Sequence, residues 1–150
     1  MKLRVVWIAP KSRSKEPAYD ALTLEYVRRI SKYQSIEASD LPSESALLKL
    51  LENSAGRTKP LVVLLDSRGN EMTSEQIAQF IATQQSADVQ QLIFVIGPAD
   101  GFSDDARRAA NKVVSLSKVT LPHDLARVVL LEQIYRAFTI ITKHPYHCGH

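Results

Sequence analysis

An α/β fold, a mostly parallel sheet flanked by helices, is predicted by three features of the sequence. Apolar runs rich in β-branched residues alternate with helical patterns along the chain, the order that builds a parallel sheet through crossover helices. Two of the runs, Leu61-Val62-Val63-Leu64-Leu65 and Leu92-Ile93-Phe94-Val95-Ile96, are apolar at every position, as strands covered on both faces must be. The length, 150 residues, suits one domain, and no repeat, low-complexity stretch or Pro/Gly/Ser-rich linker divides it. Residues 1–150 are therefore read as a single domain, large enough to bury roughly two-thirds of its unfolded surface without disulfides.

Strands are expected over residues 3–8, 35–38, 61–65, 92–96 and, shorter, 112–116. Helices are expected over 18–31, 45–53, 74–85 and 104–110. In the third of these, Ile77, Ala78, Ile81 and Ala82 follow Ser74 at i+3, i+4, i+7 and i+8, the stripe of a helix packed on a sheet. Ser43 and Ser103 stand as N-caps ahead of their helices. A last helix runs from about 122 to 142, with Pro122 suited to its first turn. Leu125, Val128, Val129, Leu130, Leu131, Ile134, Phe138, Ile140 and Ile141 leave it little polar face. A single sheet covers one side of such a helix, so a homodimer interface is expected on the second, with burial inside the same chain as the alternative.

Cys148 is the only cysteine, which excludes an internal disulfide and a multi-cysteine zinc site and fits a reducing compartment. The apolar run of residues 3–8 is stopped by Pro10 and Lys11-Ser12-Arg13-Ser14. It is too short for a secretory signal, and no stretch approaches the ~20 apolar residues of a membrane span. A soluble, cytoplasmic chain with no membrane partner is expected. The formal charge of +3 mildly favours an anionic partner such as RNA. Two basic clusters stand out, Lys11, Arg13 and Lys15 in an early loop and Arg28, Arg29 and Lys32 at a helix end. The second is explained as well by complementing the helix dipole.

Ligands of open α/β sheets bind beyond the carboxyl ends of the strands. Three segments occupy those positions: Asp66-Ser67-Arg68-Gly69, Gly97-Pro98-Ala99-Asp100-Gly101, and Ser117-Lys118-Val119-Thr120-Leu121-Pro122-His123. Gly97 and Gly101 frame a turn where main chain can approach a ligand, or simply a turn whose dihedrals need glycine. No Walker A or G-x-G-x-x-G pattern accompanies them. Near the C-terminus, His144-Pro145-Tyr146-His147 is followed by His150. Metal binding is not expected there, because no acidic ligand is near and the usual spacing is missing. Such side chains suit stacking on, or hydrogen bonding to, a nucleobase, although an unordered terminus is the ordinary reading.

Leu64-Leu65-Asp66-Ser67-Arg68-Gly69 with Ser74-Glu75, and Phe94-Val95-Ile96-Gly97-Pro98-Ala99-Asp100-Gly101, resemble the SPOUT-class ribosomal RNA large subunit methyltransferase H family. Residues 115–123, Leu125-Ala126-Arg127, Glu132-Gln133-Ile134-Tyr135-Arg136-Ala137 and His144-Pro145-Tyr146-His147 are similar to that family in order and spacing. Before about Leu61 the likeness is one of pattern, with Met1-Lys2-Leu3 and Tyr26-Val27-Arg28-Arg29 as recognisable points.

The resemblance implies a homodimer with a C-terminal trefoil knot that methylates N3 of a pseudouridine in 23S ribosomal RNA, on the assembled ribosome, from S-adenosyl-L-methionine. By the same likeness Leu65, Gly97 and the loop Leu116, Ser117, Lys118, Val119, Thr120 and Leu121 grip the cofactor, largely by main chain, and Gly101 lets the neighbouring turn close on it. His144 or His147 would take the N3 proton, Tyr146 would stack on or orient the base, and Arg136 would stabilise negative charge on the uracil oxygens. The sequence departs from the family twice. Pro98 follows Gly97 where two adjacent glycines are usual, and Cys148 follows the HPYH run where a basic residue is common. Two other readings stand beside this one: a non-catalytic protein of the same fold that holds cofactor or ribosome, and an unrelated flavodoxin-like or nucleotide-binding domain, which the missing phosphate loop disfavours.

Overall fold

The computed structural model describes residues 1–9, 16–53, 58–98 and 100–148. The elements run β1 (Lys2–Ile8), α1 (Pro17–Ser31), β2 (Ile36–Leu41), α2 (Glu44–Asn53), β3 (Leu61–Glu71), α3 (Ser74–Ser86), β4 (Gln91–Ile96), α4 (Asp104–Ala109), β5 (Lys112–Ser115) and α5 (His123–Ile141). The five strands form one sheet in the order β2-β1-β4-β3-β5, and every neighbouring pair is parallel. All ten expected elements are present.

Alternation along each strand sends successive side chains to opposite faces. Leu3, Val5, Val63, Leu92, Phe94 and Ile96 meet Ile30 of α1, Ile77 and Ile81 of α3, and Leu131, Ile134 and Phe138 of α5 on one face. Val6, Ile8, Val62, Leu64, Ile93 and Val95 meet Leu47 of α2 and Phe102 and Ala106 beside and within α4 on the other. Both faces are thus covered, which is why β3 and β4 read as unbroken apolar runs.

The apolar girth of α5 has its cover largely within the chain. Leu131, Ile134 and Ala137 are fully buried, and Val128, Leu130 and Phe138 nearly so. Beyond the sheet, α1 and α3 flank the helix on either side, surfaces that the single-sheet expectation left out of account. The large apolar side chains that stay exposed lie elsewhere: Leu22 and Leu24 on α1, and Val119 in the loop before α5.

Local capping follows side-chain chemistry. Ser43 accepts a hydrogen bond from the Ala46 amide, and Ser103 from that of Ala106. For α3 the cap is Thr73, in a reciprocal box with Gln76. Pro122 is the N-cap of α5, one residue ahead of the first turn expected for it. At the end of α1, Glu25 holds Arg28 at 2.7 Å and Arg29 at 2.8 Å, and these partners push its carboxyl down to about 2. Two of the three cations in that basic cluster thus share one carboxylate of their own helix. Lys11, Arg13 and Lys15 lie outside the described residues.

The expected end of β3 at residue 65 is overturned. The strand runs on to Glu71, and Val114 of β5 pairs with both Leu65 and Asn70 across a register shift. Asp66, Ser67, Arg68 and Gly69 are therefore a bulge within a long strand rather than a turn after a short one. Gly69 permits it: a Cβ there would stand 2.6 Å from the Val114 amide nitrogen, and backbone cannot yield as a flexible side chain can. Gly69→Ala should destabilise the protein by about 1–3 kcal/mol through overpacking, read as a lower urea midpoint at unchanged m-value.

A candidate active site at the carboxyl edge of the sheet

Beside the β3 bulge and beyond the ends of β4 and β5 lies a cavity of ≈ 760 Å³, within the range of small-molecule sites. The β3 end and bulge supply Leu65, Asp66, Ser67 and Arg68 to its wall. The β4 end supplies Ile96, Gly97, Pro98, Asp100 and Gly101, and the passage from β5 into α5 supplies Ser115–Ser117, Val119–His123 and Ala126. Eight of the nine positions expected to grip a cofactor, Leu65, Gly97, Gly101, Leu116, Ser117, Val119, Thr120 and Leu121, meet here. Lys118 shares the loop but is exposed and does not line the cavity.

Each glycine has a physical reason. A Cβ on Gly97 would stand 2.7 Å from the buried Phe102 ring. Gly101 has φ +84°, and its amide donates to the Pro98 carbonyl at 2.9 Å to close the turn. Pro98 contributes its carbonyl there, so the missing N–H costs this turn nothing. After β5, the Ser115 hydroxyl donates to the Ser117 carbonyl at 2.9 Å and the Ser117 hydroxyl to the Val119 carbonyl at 2.8 Å. Hydroxyls thus staple the loop into its curve.

The polar wall holds groups that sequence reasoning did not single out as site residues. The Asp66 side chain is 4% exposed; its Oδ1 accepts from the Arg68 amide at 2.9 Å and faces Arg68 Nε at 3.4 Å. Its Oδ2 accepts no hydrogen bond, with Arg107 Nη2 at 3.7 Å. His123 also lines the cavity, its Nε2 3.8 Å from the Asp124 carboxylate. Asp66 follows a fully apolar run directly, and that position was a usable signal; nothing in the sequence connects it to Arg107.

The second group of expected site residues assembles elsewhere. Arg136 donates to Glu132 through Nε at 2.9 Å and Nη2 at 2.7 Å, and Glu132 also accepts from the Tyr146 hydroxyl at 3.1 Å. The Tyr146 ring lies under the Arg136 guanidinium, 4.9 Å away, and meets Tyr135 edge-on at 4.8 Å. Arg136 Nη1 is 3.1 Å from His147 Nδ1, and His147 Nε2 is 2.9 Å from Glu75. A guanidinium only donates, so Nδ1 is the acceptor and Nε2 carries the proton given to Glu75, an assignment made from the network. This contact is the main reason the Glu75 carboxyl lies below the usual range. His144 Nδ1 accepts the Tyr146 amide at 3.2 Å. None of His144, Tyr146, His147 and Arg136 lines the cavity. Among the described residues no group of His, Cys, Asp or Glu is arranged to hold a metal ion, and no helix is long and apolar enough to cross a membrane.

A family model described as a predicted SPOUT methyltransferase matches residues 1–147. A protein of Koribacter versatilis named ribosomal RNA large subunit methyltransferase H is 51% identical over 150 residues, 100% of both chains. This chain belongs to the ribosomal RNA large subunit methyltransferase H family of SPOUT methyltransferases. The relative of that name in Geobacter sulfurreducens is 39% identical over 98% of this chain and 99% of its own. Among solved structures, a probable methylase family protein of Haemophilus influenzae superposes with TM-score 0.56 at 10% identity, over 96% of this chain and 67% of the other. The SpoU methyltransferase AviRb of Streptomyces viridochromogenes gives 0.54 at 16% identity, and the 94% of this chain that aligns spans 60% of its length. At these identities the superpositions speak for the fold.

Within this methyltransferase fold the Tyr146 phenol is pushed up to about 12 by burial and then by the Glu132 carboxylate. It stays protonated at neutral pH and acts as a donor. Phenolate absorbance of the parent minus that of Tyr146→Phe should show this group ionising well above the ordinary tyrosine value; Glu132→Gln should bring it part of the way down, since the charge goes while the burial remains.

Proposed function

We propose that this chain transfers a methyl group from S-adenosyl-L-methionine to N3 of a pseudouridine in 23S ribosomal RNA, on the assembled ribosome in the cytoplasm. It does so as a homodimer whose C-terminal segment carries the trefoil knot of its family. The observation that carries this reading is the single cavity wall made from the three segments that bear the family likeness, in a chain aligned end to end with a relative of that name.

The residues present fit the cofactor. Leu65, Ile96, Leu116 and Leu121 offer an apolar wall suited to an adenine ring. The turns around Gly97 and Gly101 and the hydroxyl-stapled loop offer main-chain partners, and Asp66 Oδ2 is a buried acceptor with no donor. When bound, S-adenosyl-L-methionine supplies a methyl group already activated on a sulfonium. The protein's own task is then to hold the acceptor base in line and to help N3 lose its proton. Lys118 shares the hydroxyl-stapled loop with its side chain exposed, so its part in the grip is that of its main chain.

The tail works on a second copy's cavity. Arg136 lies thirteen residues after His123 on one continuous helix, about 20 Å along its axis at 1.5 Å per residue, and the tail network is tied down at that far end. Exposed Leu22, Leu24 and Val119 support a second copy as cover. Arg136 stabilises charge on the uracil oxygens, and Tyr146 orients the base. Of the two histidines, His147 is held by Arg136 and Glu75, whereas the exposed His144 is held through one amide contact. The proton-acceptor role falls to His144, the cheaper of the two to free.

Incubation with ribosomes lacking the modification and methyl-labelled cofactor should place label in 23S RNA, with naked RNA fragments poor substrates. His144→Ala with His147→Ala should slow single-turnover transfer by about 10²–10⁴-fold. Absence of label sinks the reading; an undiminished rate in the double variant sinks the histidine role.

A further inference from the structure

We propose that Asp66 is a positioning residue for the cofactor: its buried carboxylate is the counter-ion that clasps the Gly97–Phe102 turn and α4 onto the β3 bulge, and so sets the cavity's affinity. The inference rests on the methyltransferase reading and deepens it. Arg107, on α4, stands 3.7 Å from Asp66 Oδ2, and its same Nη2 donates to the Phe102 carbonyl at 2.9 Å. The Phe102 ring in turn fills the space against Gly97. On the other side the turn passes close to Asp66 and Arg68, since a Cβ on Gly101 would lie 3.4 Å from Arg68 Nη2 and 3.6 Å from Asp66 Oδ2. One carboxylate therefore stands between two parts of the cavity wall, the β3 bulge and the Gly97–Phe102 turn, and ties both to α4 behind them.

Burial of the Asp66 side chain, 4% exposed, limits how far solvent screens the contact. The clasp is also unfinished. Oδ2 accepts no hydrogen bond, and 3.7 Å is an ion-pair distance beyond hydrogen-bond reach. An acceptor left short in a cavity wall has capacity for a further donor. Arg107 reaches the cavity only through this contact. Its Nη1 is spent on Asp104 at 3.4 Å, and it is not among the lining residues.

The test uses the full chain, calorimetric binding of S-adenosyl-L-homocysteine, thermal midpoints and steady-state methylation of ribosomes. Asp66→Asn, which keeps the shape and removes the charge, should weaken binding about tenfold or more and raise the cofactor KM in step, with kcat at saturation held within about threefold. Arg107→Met should weaken binding comparably, Arg107→Lys less, and the double variant no more than the worse single, because both act through one contact. Thermal midpoints should move too little to account for the loss. Parent-like affinity in Asp66→Asn overturns the proposal, as do losses that multiply in the double variant or affinities that simply track the midpoints. A parent chain that binds no S-adenosyl-L-homocysteine overturns the methyltransferase reading itself, a result distinct from all of these.

Discussion

The close passage of two backbones, Gly69 of β3 against Val114 of β5, is the constraint on which the rest of the site depends. Without a side chain at Gly69 the long strand keeps its place in the sheet while this glycine and the three residues before it leave the ladder. Those three, Asp66, Ser67 and Arg68, become cavity wall. A β-bulge is a device for re-aiming side chains at the rim of a sheet, and here it converts the end of a buried hydrophobic strand into the polar side of a binding site. The cost of interrupting the ladder is carried by the apolar residues before it, Val62 to Leu65, all buried between two helical layers.

Two polar networks divide the work and differ in how they are satisfied. The cavity-side network has a shortage of donors at Asp66 Oδ2. In the tail network Glu132 accepts from both Arg136 and Tyr146, His147 is bonded at both nitrogens, and these contacts use three of the five N–H donors of the Arg136 guanidinium. The Arg136 guanidinium, pushed still higher by its bond to Glu132, keeps its charge throughout.

Helix α5 joins the two networks and keeps them apart. Its first turn sits at the cavity mouth, and its last turns carry Arg136 and the platform for Tyr146. The helix is held by the sheet, by α1 and by α3, so the distance between cavity and tail is rigid.

The sequence by itself determined the class of fold, the five strands and five helices, and the segments that form the cavity. All of this is carried by local signals: apolar runs, helical stripes, caps, and glycines after strands. The likeness at residues 64–69, 94–101 and 115–123 also determined the family. Only the tertiary structure decided how β3 continues past Leu65, because a register shift is a property of two strands and cannot be read from one. It alone paired Asp66 with Arg107, His147 with Glu75 and Tyr146 with Glu132, contacts between groups 14 to 72 residues apart. It also covered part of α5 from within the chain, leaving Leu125, Val129, Ile140 and Ile141 half-buried: periodicity states how much of a helix is apolar, while its neighbours decide which surface buries it.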